Sequence, residues 1–196
     1  MRAQADDKAA GILVDTVYLK MRNEVQARYV IQKHKCTVGL EGVALDCGVY
    51  FQSEKLAKHL EGCEECLLFA ATLGMRVDAV IRRLSLLSVA EGAAAQAVGA
   101  ALIESYCDEV QAKLDVGDLH QRPRFSPGYG DWQLEDQKTL FAVLDCAKTI
   151  GLTLTDGCMM APSKSVTAII GLSKEGHCLV HKCANCPNVN CEYRQA

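Results

Sequence analysis

The sequence predicts an α+β fold, an antiparallel sheet packed with several helices. Three observations carry this. Helix-like and strand-like patterns come in blocks, not in the alternation that builds a parallel sheet. Residues 95–114 hold the clearest helix, where Val98, Leu102, Tyr106, Val110 and Leu114 recur every four residues and Ile103 and Cys107 widen the stripe. The segment 165–172 is β-branched, alternating Val166, Ala168, Ile170 and Leu172 against Ser165, Thr167 and Ile169.

The other elements follow in order. Residues 1–10 are polar and predict at most a weak helix start. Ile12, Leu13, Val17, Tyr18 and Met21 suggest a helix over 11–28, and Val38, Val43, Val49 and Tyr50 suggest short strands over 35–50. Ser53 is placed to cap a helix through Leu56 and Leu60 that ends near Gly62. An apolar run from Leu67 to Leu73 stops at Gly74, after which Val77, Val80, Ile81 and Leu84 take helical spacing. Pro123, Pro127, Gly128 and Gly130 make 118–131 a loop, since neither residue type supports a helix interior. Leu140, Val143, Leu144, Ala147 and Ile150 mark a helix closed by Gly151. Lys174-Glu175-Gly176 reads as a turn and Cys178 to Val180 as a returning strand. The chain is expected to divide into an N-terminal helix/strand region, 1–64, packing on a main core, 65–176, followed by a cysteine-rich tail, 177–196.

Composition narrows the function classes. Of 196 residues, 49% are hydrophobic and 23% charged, a globular balance. A net charge of −3 argues against nucleic acid, which rewards a positive surface. The longest apolar stretch, Ala93 to Ile103, is broken by Gln96 and falls short of the ~20 residues a bilayer needs, so no membrane is expected. Met1 to Lys8 lacks an apolar signal core, which predicts a cytoplasmic protein with reduced thiols. Eleven cysteines then read as buried small groups, metal ligands or redox groups.

Four of them, Cys178, Cys183, Cys186 and Cys191, have the spacing C-x4-C-x2-C-x4-C. C-x2-C turns two thiolates toward one ion, and four thiolates suit zinc or an iron–sulfur cluster. A three-thiolate site completed by His181 is the variant if Cys178 lies in a strand. Cys63-Glu64-Glu65-Cys66 is read as buried packing, because two glutamates disfavour a thiolate. Arg124-Phe125-Ser126-Pro127-Gly128-Tyr129 combines a tight turn with a planar guanidinium suited to a carboxylate and a flat ring suited to a cation or heterocycle. Glu104, two residues after Leu102, projects away from that helix stripe and by itself reads as solvated.

Three segments together resemble a known family. Arg124 to Gln137, RFSPGYGDWQLEDQ, is similar to the R-x-x-P-G-Y segment of the activation domain of vitamin B12-dependent methionine synthase. Leu154 to Ser173 is similar to its L-T-E-S...M-x-P-x-x-S-V-S-G segment, and Leu102 to Tyr106, LIESY, to its glutamate-bearing A-E-A-F helix. Ala71 to Arg83 looks like free-standing relatives of that domain, so the resemblance spans about residues 65–173.

The resemblance implies that 65–176 is an S-adenosylmethionine-binding core of activation-domain fold. It implies a methyltransferase component in methionine biosynthesis that supports reductive methylation of oxidised cob(II)alamin. The corrinoid would sit on a separate methyltransferase, or on a methionine synthase lacking its own activation domain. Flavodoxin or ferredoxin would supply the electron. Arg124 would hold the ligand carboxylate, Glu104 a polar group of the ligand, and Tyr129 would line the pocket, with the Phe125 and Gly128 backbones close by. The family's N-terminal aspartate ligand has no matched position; Asp15 and Asp46 are the candidates. The tail is foreign to that domain and is expected to hold zinc as a staple, or an iron–sulfur centre that passes electrons to cobalt. The alternative function is a metal-binding interaction or electron-transfer module for a corrinoid protein.

Overall fold

The structure, a computed structural model, describes residues 2–174, with side chains from Lys8 onward. Its elements are α1 (Arg2–Arg22), β1 (Arg28–Val38), β2 (Gly42–Leu45), β3 (Tyr50–Gln52), α2 (Glu54–His59), β4 (Glu65–Thr72), α3 (Met75–Leu87), α4 (Val89–Ala112), β5 (His120–Gln121), α5 (Gln137–Leu144), α6 (Cys146–Ile150), β6 (Thr153–Leu154), β7 (Met160–Ala161) and β8 (Ser165–Ser173), with a 3-10 turn at Leu134–Asp136.

Six strands form one sheet in the order β3-β2-β1-β4-β8-β5, and β6 and β7 form a separate ribbon. Every pairing is antiparallel, as the block pattern predicts. β4 and β8 are interior strands of the sheet, and both of their faces are apolar. Their register sets Leu67 against Ile170 and Phe69 against Ala168, and nearly every residue of the pair is buried. β1 pairs with β4 from Arg28↔Thr72 to Lys35↔Glu65, so the sheet runs unbroken across residue 64.

Each face buries its own core. On one face α1, α3 and α4 cover Phe69, Ala71, Ala168 and Ile170 with aliphatic residues such as Met21, Leu84 and Val98. Gly92 lets α3 and α4 approach closely, since a Cβ there would meet Ser85 Cα at 2.9 Å. On the other face α2, α5, α6 and the 122–134 loop cover Leu68, Ala70 and Ile169; Trp132, Leu140, Leu144 and Cys146 come from that cover, Phe51, Cys36 and Cys66 from the sheet itself, and Cys63 from the turn before β4.

Three expectations change. The first helix ends at Arg22, and 28–38 is strand; Gln26 N–H bonds Leu73 C=O instead of continuing a helix ladder. The helix expected over 140–150 breaks at Asp145, which adopts φ 48°, so α5 and α6 meet at an angle around Leu144 and Cys146. On α4 the buried stripe is Ala95, Val98, Ile103, Cys107 and Val110, while Leu102 and Tyr106 are half-buried, as is Leu114, which lies past the helix end at Ala112. A strict four-residue repeat drifts off a 3.6-residue helix, and the core follows the 3-4 pattern. Ser53 caps α2 as expected, its hydroxyl accepting from Leu56 N–H at 2.9 Å, and Gly62, at φ 76°, closes the turn after it. The turn beyond Lys174, the strand expected at Cys178 and the four tail cysteines lie outside the described residues.

Candidate functional site

The site is built where the two layers meet beside β8. The 122–134 loop first continues from β5 along the edge of β8 without becoming a strand. Arg122 N–H bonds Gly171 C=O at 2.8 Å, and Phe125 exchanges both backbone hydrogen bonds with Ile169, at 3.0 and 2.8 Å. Ser126-Pro127-Gly128-Tyr129 forms a tight turn, with Tyr129 N–H on Ser126 C=O at 3.1 Å. Proline presets its second position, and Gly128, at φ 89°, takes the left-handed third, the pattern of a type II turn. The Phe125 ring stacks on Trp132 at 6.1 Å and lies 4.9 Å from His59, so the loop is pinned from below.

Two further tethers fix it. The Asp131 carboxylate accepts from Ser53 hydroxyl and from the Glu54 and Lys55 N–H groups, which joins the loop to the start of α2. These bonds, Ser53's first, hold the Asp131 carboxyl below the usual carboxylate range. His59 donates from Nε2 to Pro123 C=O at 2.8 Å, and burial pushes its pKa down because the charged ring is poorly solvated there.

This scaffold delivers Arg124 to α4. Its guanidinium is only 12% exposed and donates from Nη2 to Glu104 at 2.9 Å and Asp108 at 2.7 Å. Nη1 donates to Gln111 Oε1 at 3.0 Å. Burial opposes the charge, but the hydrogen bonds to Asp108 and Glu104 outweigh it and raise the pKa further. Cys107 itself is pushed up to about 12 by burial and stays a thiol. Glu104 and Asp108 stand one helical turn apart and are largely exposed, so both carboxylates reach the same cation from the rim.

Beside them opens a cleft of about 460 Å³. Arg124, Glu104 and Tyr129 line it from one side, and Met159, Ser163 and Thr167 from the other. Tyr129 is 57% exposed, with Phe125 set edge-on against it at 6.0 Å. Asp78 accepts from Ser163 N–H at 2.7 Å and hydroxyl at 2.8 Å, tying that wall to α3. A larger hollow, about 740 Å³, lies by Glu61, Glu64, Glu65 and Lys174, but it has no aromatic wall.

The structure thus brings Glu104, Arg124 and Tyr129 to one cleft. The Phe125 N–H and C=O both bond Ile169, and the Gly128 N–H bonds Trp132 C=O at 2.8 Å, so neither residue offers a free backbone N–H there. Asp15 is exposed on α1, and Asp46 pairs with His34; neither lines the cleft. Sequence reasoning missed Asp108 and Gln111. The signal was present as polar residues four and seven positions after Glu104, on the helix face turned to the loop. Cys63 and Cys66 are buried, as the packing reading expects, and Cys36 joins them.

Residues 93–188 match the family described as vitamin B12 dependent methionine synthase, activation domain. The fold is that of a solved structure titled "Crystal Structure of the MetH Reactivation Domain bound to AdoHcy", with a TM-score of 0.62 and 15% identity over 90% of this chain and 67% of that one. No curated protein matched the chain. The family resemblance carried by Arg124 to Gln137 and its companion segments is therefore shown, as is the antiparallel α+β fold. Among the described residues no helix is long and apolar enough to cross a membrane.

Proposed function

We propose that the chain binds S-adenosylmethionine in the cleft at Arg124 and supports reductive methylation of oxidised cob(II)alamin held by a corrinoid methyltransferase, methionine synthase being the foremost. One observation carries the reading. A half-buried arginine, the Glu104 carboxylate and an open tyrosine ring meet at one cleft of about 460 Å³, within the ordinary size of a small-molecule site, and Asp108 holds the arginine from outside the lining. The ligand carries a carboxylate, an ammonium and a sulfonium. Arg124 takes the carboxylate on its planar fork, Glu104 takes the ammonium, and the Tyr129 face lies against the cationic or heterocyclic part.

Arg124 is already paired, so binding is an exchange. The incoming carboxylate replaces one rim carboxylate, which returns to water at little cost because Asp108 is 71% exposed. Phe125 and Gly128 support this by fixing the turn. The partner's cobalt accepts the methyl once one electron has reduced it, and the C–S electron pair stays on sulfur, leaving the thioether. No proton moves, so the protein needs no general base, and its work is positioning. We further propose that the electron comes from flavodoxin or a ferredoxin and that Cys178, Cys183, Cys186 and Cys191 hold metal, zinc as a staple or an iron–sulfur centre in the electron path.

The test is an anaerobic assay with S-adenosylmethionine labelled in its methyl group, a reductant and a cob(II)alamin-loaded methionine synthase without its activation domain. Label appearing on cobalt only when this chain is present is the expected result. Label at the same rate without the chain overturns the reading. Iron analysis of the anaerobic protein separates the two forms of the tail site.

A further inference from the structure

We propose that His34, Asp46 and Cys47 form a binding site for one divalent cation of the zinc class, separate from the cleft at Arg124. Three different ligand types converge there. One ring nitrogen of His34, a carboxylate oxygen of Asp46 and Cys47 Sγ all lie within 4.8 Å of one another. Ligand atoms around a tetrahedral zinc stand roughly 3.3–3.8 Å apart, as follows from its bond lengths, so closing the set takes about an ångström.

The backbone holds these groups in advance. His34 lies on β1, and Asp46 and Cys47 occupy the turn that joins β2 to β3. That turn is closed by Leu45 N–H on Val49 C=O at 2.8 Å and Gly48 N–H on Leu45 C=O at 3.0 Å, with Gly48 at φ 85°. It is bound to β1 at two points. Asp46 N–H bonds Lys35 C=O at 3.1 Å, and Lys35 N–H bonds Asp46 Oδ2 at 3.1 Å. The other carboxylate oxygen contacts His34 Nδ1 at 2.7 Å. Little chain entropy remains to be lost when a cation arrives.

The donors select the ion. Nitrogen, oxygen and sulfur together suit zinc or cobalt, whereas magnesium and calcium call for oxygen alone. The His34 side chain is 12% exposed and Asp46 47%, and Cys47 is also exposed, so the cation enters from solvent and keeps an outward position for water.

The experiment is alkylation of the reduced full-length chain with iodoacetamide, with and without zinc chloride, read by mass spectrometry. Fragment ions report Cys47 apart from the tail cysteines. Zinc is expected to slow labelling of Cys47 about tenfold or more, because a metal-bound thiolate is a poor nucleophile, and a chelator is expected to restore the rate. His34→Ala and Asp46→Asn should each lose most of that protection while the tail peptides keep their pattern. Buried Cys36 must stay unlabelled in every variant, which shows the fold intact. A Cys47 rate indifferent to zinc, or protection unchanged in both variants, overturns the proposal.

Discussion

The two faces of the sheet are packed with different chemistry, and the difference locates the site. One face is mainly aliphatic: Leu73, Leu84, Val98 and Ile170 under three helices, with Met21, Phe69 and Cys107 among them. The other is richer in sulfur and aromatic rings: Phe125 stacks on Trp132, Phe51 meets Trp132 edge-on, and Cys36, Cys63, Cys66 and Cys146 lie in the same core. Long helices organise the first face by their own hydrogen bonds. The second includes a loop that cannot, so rings, a strand bridge and the Asp131 cap do that work. The cleft lies on the seam. Its acid, Glu104, comes from α4 on the aliphatic side, and its arginine and tyrosine come from the ring-held loop. A smooth face supplies rigidity, and the irregular one supplies the side chains that meet a ligand.

The largest expected effect breaks that contrast. Trp132 is 2% exposed and packs on Phe51 at 5.1 Å. Trp132→Ala should cost about 3–5 kcal/mol by urea unfolding and should also weaken S-adenosylmethionine binding, because the Arg124 loop loses its floor. Leu84→Ala, on the opposite face, should cost about 2–5 kcal/mol and leave affinity unchanged in the folded fraction. Equal affinity losses in the two variants would show that the faces do not divide the labour.

Gly171 sharpens the comparison. A Cβ there would meet Leu60 at 2.7 Å and Cys63 Sγ at 2.8 Å. Gly171→Ala overpacks the sulfur-rich face and is expected to cost about 1–3 kcal/mol in the same unfolding measurement.

Acid acts on one face first. His59 has a folded pKa below its ordinary 6.5, mainly through burial. The unfolded chain therefore takes up a proton before the folded one does. Stability is full above about pH 6.5 and falls as pH drops toward the folded value, by at most about 1.4 kcal/mol per pH unit for one proton. A series of thermal melts from pH 7 to 5 reads this, and His59→Gln should flatten it. An unchanged slope in that variant assigns the loss elsewhere.

The smallest effect is the cap. Ser53→Ala removes the bonds to Leu56 N–H and Asp131 and should cost about 0.5–2 kcal/mol, seen as a lower Tm.

The sequence shows these features unevenly. Val166 to Leu172 and the Leu67 to Leu73 run read as central strands because full burial on both faces leaves a dense apolar stretch. The end of α1 was not readable, since 23–27 carries no glycine or proline and the chain turns there through a bond to Leu73, a residue distant in sequence. Arg124 and Tyr129 stand out because proline and glycine fix their turn locally. Asp108 and Gln111 do not, because their role exists only once the loop has folded back over α4.

Calorimetric titration with S-adenosylmethionine measures the central claim. One site per chain is expected, weakened roughly 10- to 150-fold in Arg124→Ala, the equivalent of about 1.5–3 kcal/mol for a charged hydrogen-bonded contact, and weakened less in Glu104→Ala. No heat from the unaltered protein, or equal affinity in both variants, contradicts it.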